Sequence, residues 1–369
     1  MQAKTQRFGT LDVGRWLAAV AVVLFHCSMF LQHKPFGGVL KAGYHGVDFF
    51  FVLSGFVISN AHLKDLGRPQ RTLDYIRKRF LRIYPPYWAA LALALAWAYW
   101  HPFLQPMNVT NVVTNALLIP KNSVDYPFVI PAWTLSYEML FYIFFGLLIV
   151  LPRSVACAAL VAWPLAISFF GVPLTTGVFP ASFLMSKVIL EFFFGVAACL
   201  LYVQIGWRIG VLAAGAGVLA LMAAAVSESS PNLFPAWAAA LSNEMRYGIP
   251  SAAIIGGFAA VEARIRPLRS SFTDFLGNVT YSIYLVHDTA LIVIVGSGAL
   301  AWSAPLAPWL TCLVLASIGV AAGVAFHLWV ERPVVKLFRH TLRSDSGSLA
   351  RLDSTTSHAS NLETVSSEA

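Results

Sequence analysis

Long apolar runs dominate this 369-residue chain and constrain its fold first. A helix needs about 20 largely apolar residues to cross the hydrocarbon core of a bilayer. Ten such runs are read, near residues 11–31, 44–62, 84–101, 133–151, 154–171, 181–203, 209–226, 247–262, 277–297 and 309–330. The eighth is short and carries Pro250, Gly256 and Gly257, which predicts a broken or tilted helix. No small-residue cleavage site follows the first run, so it is expected to stay in the membrane as a helix.

Composition agrees. Hydrophobic residues make up 58% of the chain, charged residues only 11%, and the mean hydropathy is +0.70. A water-soluble domain needs roughly 25% charged residues to cover its surface, so a soluble enzyme is excluded. The 27 Phe and 11 Trp suit lipid and its interfaces. An outer-membrane barrel would alternate polar and apolar residues, whereas these runs are unbroken. The expected fold is all-α, a polytopic integral membrane protein of about ten transmembrane helices. Cys27, Cys157, Cys199 and Cys312 stand singly in apolar stretches, which predicts packing residues rather than disulfides or a metal site.

The net charge of +8 raises the question of nucleic acid. Its placement answers it. With ten spans and both termini cytoplasmic, the inner segments hold 19 Lys and Arg and the outer loops 4. That asymmetry is the positive-inside pattern and leaves no nucleic-acid surface to explain. Residues 1–335 are expected to form the membrane domain, and the Ser- and Thr-rich stretch 336–369 a disordered cytoplasmic tail. No internal repeat is evident.

Ionisable groups at bilayer depth are costly and usually functional. Arg15 and His26 are eleven residues apart, about three turns, so they share one face of the first helix about 16 Å apart along its axis. Arg15 suits either a lipid headgroup or a phosphate. His26 suits either packing or general-base chemistry. Asp48 and Glu138 each fall about one turn inside the outer leaflet, at an estimated depth similar to that of His26. Either carboxylate could orient the imidazole and stabilise its cation. Ser54 and Gly55 are small enough to admit a helix or a ligand. Arg79 and Arg82 lie three apart on one helix face, and read equally as a positive-inside cluster or as a site for an anionic cytoplasmic ligand. Tyr281, Tyr284 and Asp288 form one polar stripe with His287 beside it, which suits a tunnel wall or an interhelical network. Glu191 and His327 are further candidates with no evident partner.

No phosphate loop, metalloprotease motif or nucleophile elbow occurs. A histidine with carboxylates on the outer side and arginines on the inner side fits transfer of a group across the bilayer from a phosphorylated donor. A proton-coupled secondary transporter or exporter is the alternative, with the same residues as a proton relay.

Six ordered blocks carry a resemblance. They are Leu11-Asp12-x-x-Arg15 with His26, the run Gly46 to Phe56, Arg79-x-x-Arg82 with Tyr84-Pro85, Trp133-Thr134-Leu135-x-x-Glu138, Tyr281-Ser282-x-Tyr284-Leu285-x-His287, and Glu331-x-Pro333. Together they resemble the membrane acyltransferase 3 family over residues 11–333. The resemblance implies a bacterial inner-membrane enzyme that O-acylates extracytoplasmic glycans, typically acetylating them from acetyl-CoA. Arg15 and His26 match the family's essential pair, and Arg79 and Arg82 its RxxR motif. On this reading His26, Glu138 and Asp48 are catalytic, and Arg15, Arg79, Arg82 and Ser54 bind the acyl-CoA donor. Tyr281, Tyr284 and His287 line the path. No tightly bound cofactor and no metal are expected. The partners are membrane lipid and a glycan or lipid-linked saccharide, and a homo-oligomer is compatible with this. The chain resembles the family's stand-alone members, without an appended extracytoplasmic hydrolase-like domain, which favours an acceptor held near the membrane.

The orientation has a direct test. A cytoplasm-dependent reporter fused after Arg68 should be active, and one fused after Lys121 silent; the opposite pattern would overturn the assigned sidedness.

Overall fold

The computed structural model describes residues 7–31, 35–101, 106–120, 127–171, 179–230, 241–265, 267–298 and 306–340. They are mostly helical, in chain order α1 (Gly9–Met29), a 3₁₀ segment (Pro35–His45), α2 (Gly46–His62), α3 (Thr72–Trp100) and α4 (Val109–Ala116). Then come α5 (Trp133–Val150), α6 (Arg153–Phe170), the single turn α7 (Ala181–Leu184), α8 (Ile189–Tyr202) and α9 (Trp207–Ser229). The last three are α10 (Ile249–Glu262), α11 (Ser271–Gly296) and α12 (Pro308–Phe326). Past Phe326 the chain winds through a π turn, His327–Glu331, and stays helical to His340. The first five residues of the expected tail, 336–340, are therefore helical, and the remainder of that tail lies outside the described residues.

Seven described segments are long and apolar enough to cross a membrane: Gly9–Met29, Gly38–Asp65, Ile130–Val150, Arg153–Phe170, Trp207–Ser229, Ser271–Gly296 and Pro308–His340. The other three expected spans are helical but differ in form. The run at 84–101 is the apolar end of α3, whose first half carries Arg77, Lys78, Arg79 and Arg82. The run at 181–203 is interrupted between α7 and α8 by the turn around Ser186 and Lys187. The run at 247–262, expected to be broken or tilted, is an unbroken 14-residue helix entered through a π turn at Glu244–Gly248.

Burial separates the centre from the periphery. The α2 segment is 67% buried and α11 61%, whereas α6 is 11% and α9 22%. Water exclusion does not drive helices together inside lipid, so close packing must, and small residues permit it. A Cβ on Gly55 of α2 would lie 1.9 Å from the Phe192 carbonyl oxygen of α8. A Cβ on Gly195 of α8 would lie 1.9 Å from the Val52 carbonyl oxygen of α2. The two backbones therefore touch, each through the other's glycine. Gly323 does the same for α12 against Ile283 of α11, and Gly46 for α2 against Ala18 of α1.

The start of α1 is fixed from a distance. Phe8 offers no side-chain cap, so the first amides of the helix need an acceptor. Glu262, 2% exposed at the end of α10, supplies it, taking bonds from the Gly9 amide at 3.1 Å and the Thr10 amide at 2.6 Å. It also accepts from the Thr10 hydroxyl and the Leu268 amide. The carboxylate complements the positive end of the helix dipole, and this anchors the helix that carries Arg15 and His26.

Gly55→Ala and Gly195→Ala should each force α2 and α8 apart and destabilise the purified protein by about 1–3 kcal/mol, read as a lowered thermal midpoint. Gly215→Ala, with nothing within 4 Å of the added carbon, should leave it near wild type. Equal behaviour of the three variants would refute the packing role.

Candidate active site

A cavity of about 740 Å³ lies among α1, α2, α3, α5 and α11. Its walls include five cationic side chains: Arg7, Arg15, Lys78, Arg79 and Arg82. Asp12 and Glu138 are the acidic residues that line it. An excess of permanent positive charge between low-dielectric walls raises the local concentration of anions.

Each arginine is held differently. The Arg15 guanidinium lies 3.9 Å from Asp12, one turn earlier on α1. Arg79 sits over the rings of Tyr75 (5.7 Å) and Tyr142 (5.4 Å), with Nη2 3.4 Å from His62 Nε2. His62 Nδ1 in turn lies 2.9 Å from Asp65 Oδ2. Arg82 lies over the ring of Tyr281 at 5.2 Å, and Tyr281 donates to the carbonyl of Ile83 beside the buried Pro85-Pro86 pair at 3.1 Å. Stacking on aromatic faces orients a guanidinium without neutralising it. The Nε–H groups of Arg15 and Arg79 are buried with no acceptor among the described residues, so both retain donor capacity.

Glu138 faces the same space. Its Oε1 accepts from Ser54 at 2.9 Å and from the Tyr142 phenol one turn along α5. Tyr284 lines the cavity too, and its hydroxyl meets Thr134 Oγ1 at 2.8 Å and the Pro131 carbonyl at 3.1 Å. Seven of the ten residues singled out from sequence thus converge on one cavity: Arg15, Ser54, Arg79, Arg82, Glu138, Tyr281 and Tyr284.

His26, Asp48 and His287 lie outside it. His26 Nδ1 is 3.1 Å from His287 Nε2 and 3.0 Å from the Val22 carbonyl oxygen. The ring of His287 stands 6.2 Å from that of Tyr284, so Tyr284 touches both the cavity and the histidine pair. Asp48 bonds to His45 Nδ1 at 3.0 Å. His45 Nε2 reaches Glu228 at 2.9 Å, the ring stacks on Tyr247 at 3.5 Å, and the Asp48 carboxyl lies against that of Glu191.

The partnership expected of His26 with Glu138 or Asp48 is therefore not formed; its bonded neighbour is His287. The cause is register. Glu138 pairs with Ser54, six residues and so about 9 Å further along α2 than Asp48. A 3₁₀ turn, Ile130–Ala132, with Pro131 and Ala132 buried, precedes α5, and the offset of one helix against another cannot be reckoned from the ends of apolar runs.

Several residues of these networks went unmarked in the sequence: His45, His62 with Asp65, Tyr142 and Lys78. The pairs His45/Asp48 and His62/Asp65 stand three apart, and Glu138/Tyr142 four apart, spacings that place both members on one helical surface. His327 finds its partner the same way: Nδ1 lies 2.7 Å from Glu331, which also accepts from Ser282, while Arg332 Nε donates to His327 Nε2 at 3.0 Å. Glu331 of the Glu-x-Pro block thus ties α12 to α11.

Fold and site together define a multi-pass membrane protein with an anion-attracting chamber inside its helices. Comparison with known proteins supplies the family. Residues 8–328 match the acyltransferase 3 family, described as an acyltransferase domain, and the chain belongs to that family. It is 27% identical over 326 residues to the exopolysaccharide production protein ExoZ of Rhizobium meliloti, covering 80% of this chain and 92% of that one. It is 28% identical over 382 residues to the acyltransferase MdmB of Streptomyces mycarofaciens, covering 91% and 94%. No solved structure matches the chain significantly. The protein is a membrane acyltransferase.

His45→Ala should strand Asp48 and Glu228 and destabilise the purified protein by on the order of 3 kcal/mol, read by thermal unfolding. Adding Asp48→Asn should recover part of the loss, and a double variant no more stable than the single would speak against the charge network.

Proposed function

We propose that this protein transfers an acyl group, acetyl in the simplest case, from cytosolic acyl-CoA to a hydroxyl of an extracytoplasmic or lipid-linked glycan. The observation that carries the reading is one cavity lined by five cations and by Tyr284, whose ring stands 6.2 Å from that of His287 in the His26–His287 pair. In this reading ten spans cross the bacterial inner membrane, and the cationic end opens to the cytoplasm. Arg79 and Arg82 hold donor phosphates, and Arg15 lies deeper along the same chamber. Guanidinium forks suit phosphate oxygens, and the unused Nε–H groups of Arg15 and Arg79 give them donors to spare. The arm that carries the thioester extends past Tyr284 towards His26.

His26 acts as general base. It takes the proton of the sugar hydroxyl as the oxygen attacks the thioester carbonyl. The C–S bond breaks, the C–O ester bond remains, and the leaving thiolate receives the proton from the imidazolium. Glu138 acts within the cavity in this mechanism, holding Ser54 and Tyr142 in place and balancing the arginines, rather than as the partner of His26. Asp48 belongs to the His45 network. A glycan acceptor is favoured by the exopolysaccharide role named for ExoZ.

His26→Ala and Arg15→Ala should each cut acylation about 10²–10⁴-fold at normal protein abundance, the range that removal of a general base or of donor positioning produces. Mass spectrometry of surface polysaccharide reads the product directly, as about 42 Da per acetyl group added. Unchanged acylation in either variant would overturn the mechanism. Arg79→Lys should raise KM for acyl-CoA more than it lowers kcat, because one point charge replaces the planar fork.

A further inference from the structure

The histidine pair carries more information than proximity, because its outer hydrogen bonds leave little freedom to its protons. His287 is fully buried on α11. Its Nδ1 lies 2.9 Å from two carbonyl oxygens of its own helix, those of Ile283 and Tyr284. Carbonyls only accept, so this nitrogen bears the hydrogen. In a neutral imidazole the other nitrogen is then an acceptor, and His287 Nε2 points at His26 Nδ1 from 3.1 Å.

His26 Nδ1 thus faces two acceptors, the Val22 carbonyl and His287 Nε2. It must carry hydrogen in its turn. The opposite nitrogen, His26 Nε2, is left with its lone pair, on a ring that is only partly buried. Both backbone anchors sit inside continuous helices, α1 and α11, which pack directly against one another. Gly319 of α12 lets that helix close over the His287 side chain. The arrangement is rigid along its whole length, as an orienting device requires.

We infer that His287 is a positioning residue that sets the tautomer of His26, leaving Nε2 of His26 as the basic nitrogen. The inference rests on the reading of His26 as general base. It gives a buried neutral histidine the task that a carboxylate performs in serine-hydrolase triads. The chemical consequence differs. When His26 Nε2 takes the hydroxyl proton, the imidazolium shares its Nδ1–H with a neutral acceptor. Among the described residues no buried carboxylate holds the cation in place, and the proton passes on to the departing thiolate.

The test uses the full-length protein labelled with ¹⁵N-histidine, the His26 signals being assigned by their disappearance in His26→Ala. Wild type should show His26 protonated at Nδ1 and bare at Nε2. His287→Met, similar in bulk but without the acceptor, leaves His26 Nδ1 only the Val22 carbonyl, already engaged in the backbone ladder of α1, and should release a substantial population of the other tautomer. His287→Gln restores an acceptor oxygen near the lost Nε2 and should return the wild-type pattern. In membrane vesicles given [¹⁴C]acetyl-CoA, incorporation into the polysaccharide fraction should fall about 10²–10⁴-fold in His287→Met with KM for acetyl-CoA unchanged, and recover to within about tenfold of wild type in His287→Gln. A wild-type protein with hydrogen on His26 Nε2, or a His287→Met protein with unaltered tautomer, would refute the inference. So would a His287→Gln protein as inactive as His287→Met. Wild-type incorporation by His26→Ala would instead defeat the underlying base reading. An inactive His26→Ala beside a fully active His287→Met would defeat the positioning role alone.

Discussion

An ionised or strongly polar side chain inside hydrocarbon has no water to solvate it, so the protein must supply each partner from within. Several contacts between helices among the described residues answer that demand. Glu262 takes up the free amides at the start of α1. Glu138 gathers Ser54 and Tyr142, joining α5 to α2. His45 stands between Asp48 and Glu228, tying the start of α2 to α9. Glu331 joins α12 to α11 through Ser282. These bonds cross between helices whose apolar faces slide on one another with little preference, so they select the register that close glycine contacts then allow.

Within this frame the arginines of the cavity stand apart. They rest on aromatic faces and on distant or shared acids, and part of their donor capacity is unspent. A structural cation inside a membrane protein would be expected to find a close carboxylate. Of the five cations that line the cavity, Lys78 is paired with Asp74 at 2.7 Å, and the four arginines that remain around Asp12 and Glu138 suit an anion arriving from outside the fold. The histidine pair has the opposite character. Among the described residues no carboxylate is bonded to it, and backbone carbonyls and a second imidazole fix its orientation. The cavity and the histidine pair meet at Tyr284, whose hydroxyl is fixed to the turn before α5 and whose carbonyl anchors His287.

Much of this was legible in the sequence. Scarcity of charge made the few ionisable residues conspicuous, and four of those, Arg15, Arg79, Arg82 and Glu138, share the cavity with Ser54, Tyr281 and Tyr284. The shared face of Arg15 and His26 follows from helical geometry alone, and α1 keeps both on one unbroken helix. Depth was less legible. Glu138 and Asp48 looked level with His26 because each lies near the outer end of an apolar run. The offset of α5 against α2, which sets Glu138 beside Ser54, separates them.

The sequence by itself determined that the chain crosses a membrane, which residues are too polar to face lipid, and which of them stand three or four apart on one helix. Those properties depend on composition and on the fixed rise and twist of a single helix. Only the tertiary structure decided which polar residue meets which. Pairing between helices depends on their relative sliding and rotation, set by contacts such as Gly55 on Phe192, which leave no periodic trace in the chain. His26 therefore has an imidazole for a partner where the sequence offered two carboxylates.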